Sequence, residues 1–199
     1  MALNSEGLLL KIKEHFKVNK KQILLNFIAF TSIFTLLLFI DLLTKGVWYD
    51  SSIEGGNPDI NLNYTIFEIK NLLNKGTYVF GNAIPYYLLH TVSILIVLVS
   101  LIVCCSSKNK EYFPIIFALG CLSAGAIGNM YDRITFAGVR DIFVMIWGKS
   151  FLPAGTFNFA DVCLGYGAIF ISIYTLLIIV LLPWFTKKQN KETNTDKKN

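Results

Sequence analysis

Charged residues are scarce in this 199-residue chain. Asp, Glu, Lys and Arg make up 16% of it, against about a quarter in an ordinary soluble domain. A soluble helix needs a charge every turn or two to wet its outer face, and long stretches here have none. Histidine is scarcer still, with only His15 and His90. Neither lies near a cluster of acids, and there is no H-E-x-x-H, so a serine-histidine pair and a zinc site are both poorly supported. The four cysteines, Cys104, Cys105, Cys121 and Cys163, show no C-x-x-C spacing and sit within or beside apolar runs, which points to packing. No small-x-small cleavage pattern follows the first apolar run, so it is expected to stay as a membrane span. No internal repeat is visible, which argues against an inverted-repeat transporter.

What is present is apolar. Hydrophobic residues reach 54% and the mean hydropathy is +0.54. Uncharged runs cover Gln22 to Ile40, closed by Asp41; Gly76 to Lys108, with an apolar core from Ile84 to Cys105; Tyr112 to Tyr131; and Val162 to Thr186. Each is near the ~20 residues that a helix needs to cross ~30 Å of hydrocarbon. The expectation is an all-α membrane protein with four transmembrane helices.

Lysine and arginine near span ends prefer the cytoplasm, and 12 of the 18 lie in the first arm, the loop at Lys108 and Lys110, and the tail. Both termini are therefore expected inside and both long loops outside. The net charge of +5 is concentrated in segments that would face anionic lipid, so no nucleic acid is needed to explain it. The chain divides into a cytoplasmic basic arm (1–22), a membrane domain (23–186) with outer loops at 44–83 and 133–160, and a disordered, solvated tail (187–199). Within the outer loops, EGGNPD is a turn signal and NYTIFEIKNLL reads as strand or amphipathic helix, so a small folded outer subdomain is expected. The run Ile142 to Trp147 is too short to span and reads as a strand or re-entrant piece. Trp48, Tyr49, Tyr86, Tyr87 and Trp147 suit the outer boundary.

Ionisable groups at membrane depth are costly, so those at span ends invite a functional reading. Asp41 and Lys45 close the first run, Asp132 and Arg133 the third, and Asp161 opens the fourth, with Asn129 and Asn158 beside them at the same depth. Taken singly, each could simply mark where the bilayer stops. Asp41 and Lys45, spaced i, i+4, can pair or offer the lysine to a substrate or lipid oxygen. Gly125 and Gly128 permit close helix approach, and Asn129, Asp132 and Arg133 share roughly one face. Metal-free hydrolysis needs two carboxylates sharing a proton, one to activate water and one to protonate the carbonyl oxygen. Asp161, at a helix N-terminus, should favour its ionised form. Spacing leaves its partner open between Asp132 and Asp141.

These residues resemble the bacterial lipoprotein signal peptidases, or type II signal peptidases, in four blocks in that family's order. Asp41-Leu42-Leu43-Thr44-Lys45 is similar to D-x-x-[ST]-K, and Asn74-Lys75-Gly76 leading to Phe80 is similar to N-x-G-x-A-F. Gly128-Asn129-Met130-Tyr131-Asp132-Arg133 followed by Val139 and Asp141 is similar to G-N-x-x-D-R then V-x-D. Phe157-Asn158-Phe159-Ala160-Asp161, with Gly167 after it, is similar to F-N-x-A-D.

The resemblance implies a four-helix membrane domain with a small extracytoplasmic β-cradle, in the cell membrane. The implied activity is an aspartic endopeptidase acting at the outer face without cofactor or metal. It would remove the signal peptide of diacylglyceryl-modified prolipoproteins just before the lipidated cysteine. It further implies Asp141 and Asp161 as the catalytic pair, with Asp41, Lys45, Asn74, Gly76, Asn129, Asp132, Arg133, Asn158 and Ala160 lining or supporting the pocket. The expected partners are lipid-modified prolipoproteins and membrane lipid, with no nucleic acid, and a monomer is expected. Two departures stand out: Phe80 comes one residue late behind Tyr78 and Val79, and Ala137 replaces a glycine, with Gly138 next. The rival readings are a non-enzymatic transporter or assembly factor that uses the acids as ion pairs, and a presenilin-type protease, whose G-x-G-D block is absent.

Overall fold

A computed structural model describes residues 5–50, 67–76, 84–145, 156–181 and 183–184. Helix α1 (Ser5–Val18) leads into α2 (Lys20–Trp48), followed by strand β1 (Phe67–Asn74) and helix α3 (Tyr86–Ser106). A 3-10 turn (Lys110–Tyr112) opens α4 (Phe113–Phe136); then come β2 (Val139–Met145), β3 (Thr156–Phe157) and α5 (Phe159–Thr175), which continues as a π-helical stretch, Leu176–Leu181. Four helices are long and apolar enough to cross a membrane, beginning at Lys20, Tyr86, Lys110 and Phe159. The three strands form one antiparallel sheet in the order β1-β2-β3, so the described part of the short apolar run, from Ile142 to Met145, is a strand. The EGGNPD turn, Phe80, Trp147 and the 187–199 tail lie outside the described residues.

The first span is longer than the uncharged run suggests. Helix α2 continues through Asp41 and Lys45 to Trp48 rather than ending at Asp41. The reason is charge cancellation: Lys45 Nζ donates to Asp41 Oδ2 at 2.8 Å, one helical turn away, and both side chains are buried. A neutralised, hydrogen-bonded pair does not force a helix out of the bundle as a lone charge would.

Helix α4 is the centre of the bundle, with 61% of its span enclosed by protein, while the lipid-facing sides of α2, α3 and α5 keep exposed apolar side chains such as Ile28, Leu36, Ile102 and Ile169. Small residues make the close approaches possible. A Cβ on Gly125 would strike the Ala160 carbonyl oxygen and Leu164, and one on Gly128 would strike the Asp41 carboxylate. Polar groups inside are paired across helices: Ser100 Oγ lies 3.1 Å from Ser123 Oγ, and Ser93 donates to the Ala126 carbonyl at 3.2 Å.

Helix α4 hands over to β2 through Ala137, which has φ 54° and ψ 29°, the left-handed conformation that usually calls for glycine. Tyr86 Oη donates to the Ala137 carbonyl at 2.9 Å and fixes this corner, so α3 braces the turn that delivers β2. Ala137→Gly should remove the Cβ strain and raise stability by about 0.5–1 kcal/mol, net of the extra freedom glycine gives the unfolded chain. Thermal unfolding in detergent measures this directly; an unchanged or lower Tm would show that the corner carries no strain.

Candidate active site

The start of α5 builds one half of the site. Asn158 caps the helix reciprocally: its Oδ1 accepts from the Asp161 N–H at 3.0 Å, and Asp161 Oδ2 accepts from the Asn158 N–H at 3.1 Å. This is a capping box with aspartate in the place more often taken by glutamate. It locks the Asp161 side chain against the helix N-terminus, where the macrodipole favours negative charge. The other Asp161 oxygen, Oδ1, accepts from Asn129 Nδ2 of α4 at 2.8 Å.

Strand β2 supplies the second acid. Asp141 Oδ1 accepts from Asn158 Nδ2 at 2.8 Å, and its Oδ2 accepts from Asn74 Nδ2 at 3.0 Å and from Thr156 Oγ1 at 3.3 Å. A single residue, Asn158, therefore reaches both carboxylates, Asp141 through its side-chain amide and Asp161 through its backbone N–H. Asn74 is held in turn by an Asx turn, with its Oδ1 accepting from the Gly76 N–H at 3.0 Å, which gives the N-x-G spacing a physical reason. Burial, chiefly, and then the nearby Asp161 charge push the Asp141 carboxyl up to about 6, although the donors from Asn74, Asn158 and Thr156 pull the other way.

Behind the two acids lies a layer of buried ion pairs. Lys45 reaches Asp41 Oδ2 at 2.8 Å, Asp132 Oδ2 at 3.2 Å and Asn129 Oδ1 at 3.2 Å, and its side chain is wholly buried. It is thus not available to a substrate or lipid oxygen. Asp41 Oδ1 accepts from the Ala160 N–H at 2.8 Å, so α2 caps α5 as well. Asp132 does not pair with its neighbour Arg133. It takes Arg140 instead, through Nη2 at 2.7 Å, Nε at 3.1 Å and the backbone N–H at 3.0 Å. Arg133 turns the other way, donating to the Asn129 carbonyl at 3.3 Å and lying 5.9 Å from the Tyr86 ring. Both Asp132 oxygens are thus committed to cations, whereas Asp141 and Asp161 are linked through Asn158.

Two contributors, Arg140 and Thr156, were not singled out from sequence. Arg140 precedes Asp141 and points to the opposite face of β2, where it stacks on Phe136 at 4.2 Å; strand alternation beside a singled-out acid was the available signal. Thr156, two residues before Asn158, carried no distinguishing pattern, and Tyr86, first residue of α3, is expected from sequence only as a boundary aromatic.

A family model described as Signal peptidase (SPase) II matches residues 33–193. The chain belongs to the signal peptidase II family. Among curated relatives, the lipoprotein signal peptidase of Nitratidesulfovibrio vulgaris (strain DP4) is 32% identical over 117 residues, covering 55% of this chain and 68% of that protein. The one from Maridesulfovibrio salexigens is 41% identical over 71 residues, covering 35% of this chain and 44% of that protein. The fold also matches a bacterial membrane enzyme solved by the in meso method, with TM-score 0.63 and 22% identity over 77% of this chain and 90% of that one. Within this signal peptidase II fold, α1 lies outside the matched stretch.

Two outcomes test the site's electrostatics. Lys45→Met should strand Asp41 and Asp132 as buried, underpaired carboxylates and cost about 3–5 kcal/mol, read as a large fall in Tm in detergent. Asp141 binds its proton more tightly when folded than unfolded, so its contribution to stability is greatest at low pH and is lost as pH rises from about 4 to about 6. Compared with Asp141→Asn, the native protein should lose relative stability over that window and hold level above it; a constant difference from pH 4 to pH 8 would contradict the assignment.

Proposed function

We propose that this chain is the endopeptidase that removes the signal peptide from diacylglyceryl-modified prolipoproteins, cleaving just before the lipidated cysteine. The observation that carries the reading is that one asparagine, Asn158, donates to both carboxylates, by its side-chain amide to Asp141 and by its backbone N–H to Asp161, with neutral donors rather than cations hydrogen-bonded to either acid. Family membership and the names of the curated relatives support the same substrate class.

Two carboxylates sharing a proton can hydrolyse an amide without metal. Asp161, held at the helix N-terminus by the Asn158 N–H and the Asn129 amide, acts as base toward water. Asp141, raised toward neutrality by burial, holds the proton. Water loses a proton to Asp161 and attacks the carbonyl carbon as Asp141 protonates the carbonyl oxygen, giving a neutral tetrahedral diol. On collapse, Asp161 delivers its proton to the departing amine nitrogen and Asp141 recovers one from a hydroxyl. The pair ends as it began, ready for the next turnover.

The proposed topology puts both termini in the cytoplasm and the acids at the outer boundary of the cell membrane, following the lysine and arginine distribution. There a signal helix can unwind for attack while its acyl chains stay in lipid. Asp41, Lys45, Asn129, Asp132 and Ala160 hold the two acids from behind; Asn74, Gly76, Asn158 and Arg133 are the groups we place around the cleaved segment.

Cleavage of matched precursors with and without the diacylglyceryl group, in bilayer, tests the whole reading. Only the lipidated precursor should be cut, and Asp141→Asn and Asp161→Asn should each reduce kcat by at least about 10³-fold while each variant still folds and unfolds cooperatively. Cutting that ignores the lipid, or that survives either substitution, would overturn it, and partial activity in Asp161→Asn would favour a role in ion pairing.

A further inference from the structure

Helix α1 lies at the end of the bundle away from the carboxylates, and two contacts define how it lies. Asn26 of α2 donates to the Cys104 carbonyl at 3.1 Å and to the Ser107 carbonyl at 3.0 Å, at the end of α3. His15 of α1 donates through Nε2 to the carbonyl of Cys105, at 2.7 Å. On one straight helix, residues 15 and 26 would stand about 16 Å apart along the axis, yet they meet adjacent carbonyls. The chain therefore bends at Asn19, whose φ −98° and ψ 11° leave helical values, and whose side chain holds the bend by donating to the His15 carbonyl at 2.9 Å. Helix α1 is folded across the end of α3 instead of prolonging α2. That end is where apolar sequence stops, at Ser107-Lys108-Asn109-Lys110.

One face of α1 carries Leu8, Leu9, Ile12 and Phe16, all 45–58% exposed, and these positions span about 100° of a helix. His15 lies at the border of this arc. With His15 pinned to α3, the four side chains stay uncovered by the rest of the protein. Lys11, Lys13 and Lys17 are exposed on the rest of the helix, and Lys20 and Lys21 follow at the start of α2, against two acids in α1, Glu6 and Glu14. A helix of 14 residues is marginal in water alone, so this one needs an apolar partner. Three lysines against two glutamates leave α1 itself basic, and Lys20 and Lys21 extend that charge, which disfavours a second copy of the same segment and suits an anionic surface.

We propose that α1 is an interfacial anchor, seated in the headgroup layer of the leaflet at this end of the bundle, with Leu8, Leu9, Ile12 and Phe16 at the acyl boundary and Lys11, Lys13 and Lys17 on the phosphates of anionic lipids. The assignment is independent of the cleavage chemistry.

Hydrogen exchange of the full chain in nanodiscs tests it, comparing phosphatidylcholine alone with a mixture containing phosphatidylglycerol. Near an anionic surface each lysine contributes about fivefold in binding, so amides of residues 8–18 should exchange at least about tenfold more slowly in the mixture. The combined variant Lys11→Gln, Lys13→Gln, Lys17→Gln should lose that difference. Leu9→Ser with Phe16→Ser should lose the protection in both lipids, while α4 amides stay unchanged as the folding control. Equal exchange of α1 in the two lipid compositions, a lipid effect that persists in the glutamine variant, or protection that grows with the number of protein copies per disc would overturn the proposal.

Discussion

The buried ammonium of Lys45 holds the site together. It sits between Asp41 and Asp132 and touches the Asn129 amide, so one cation joins α2 to α4 and, through Asp41 and the Ala160 N–H, to the start of α5. Arg140 adds β2 to the same cluster by taking Asp132 in a bidentate grip. Two cations and two anions thus neutralise one another out of water, which makes such a cluster tolerable. Arg133, which feels the charges of Asp132, Asp141 and Asp161, supplies a third cation. Four carboxylates against three cations balance when the pair Asp141 and Asp161 keeps one proton between them, the state a carboxylate pair needs for hydrolysis.

The two acids come from different kinds of element, and the fold must dock them. Asp161 is fixed within α5 by its own capping box, whereas Asp141 rides on a strand that leaves α4 through the left-handed Ala137 corner. Their separation depends on how closely α5 packs on α4, which the absence of side chains at Gly125 and Gly128 permits. Mutations at those glycines would move one acid relative to the other without touching either.

The membrane spans were legible in the sequence because nothing polar interrupts them. Their ends were less so: a charge reads as the edge of the bilayer unless its partner is known, and the partners of Asp41 lie at Lys45, visible at i+4, and at Ala160, 119 residues away. The same distance problem kept Asp132 and Asp141 equivalent by spacing, since the difference between them lies in Arg140, which reaches back to Asp132 only once the chain has turned at Ala137. The resemblance singled out Asp141 where spacing could not. Arg140 has no motif of its own in the sequence; only the alternation of a short strand places it opposite Asp141.

Three asparagines show how the pair can be oriented without being locked in one protonation state. Each commits its carbonyl oxygen to a fixed donor: Asn74 to the Gly76 N–H, Asn129 to Lys45, and Asn158 to the Asp161 N–H. That leaves each amide nitrogen only one way to point, toward a carboxylate. A lysine or arginine in their place would bind the ionised form strongly enough to oppose protonation, as charge-assisted contacts do. An amide gives direction at a weaker electrostatic cost. The cations can therefore stand one layer back, on Asp41 and Asp132, where permanent charge serves packing, while the front pair remains free to exchange its proton.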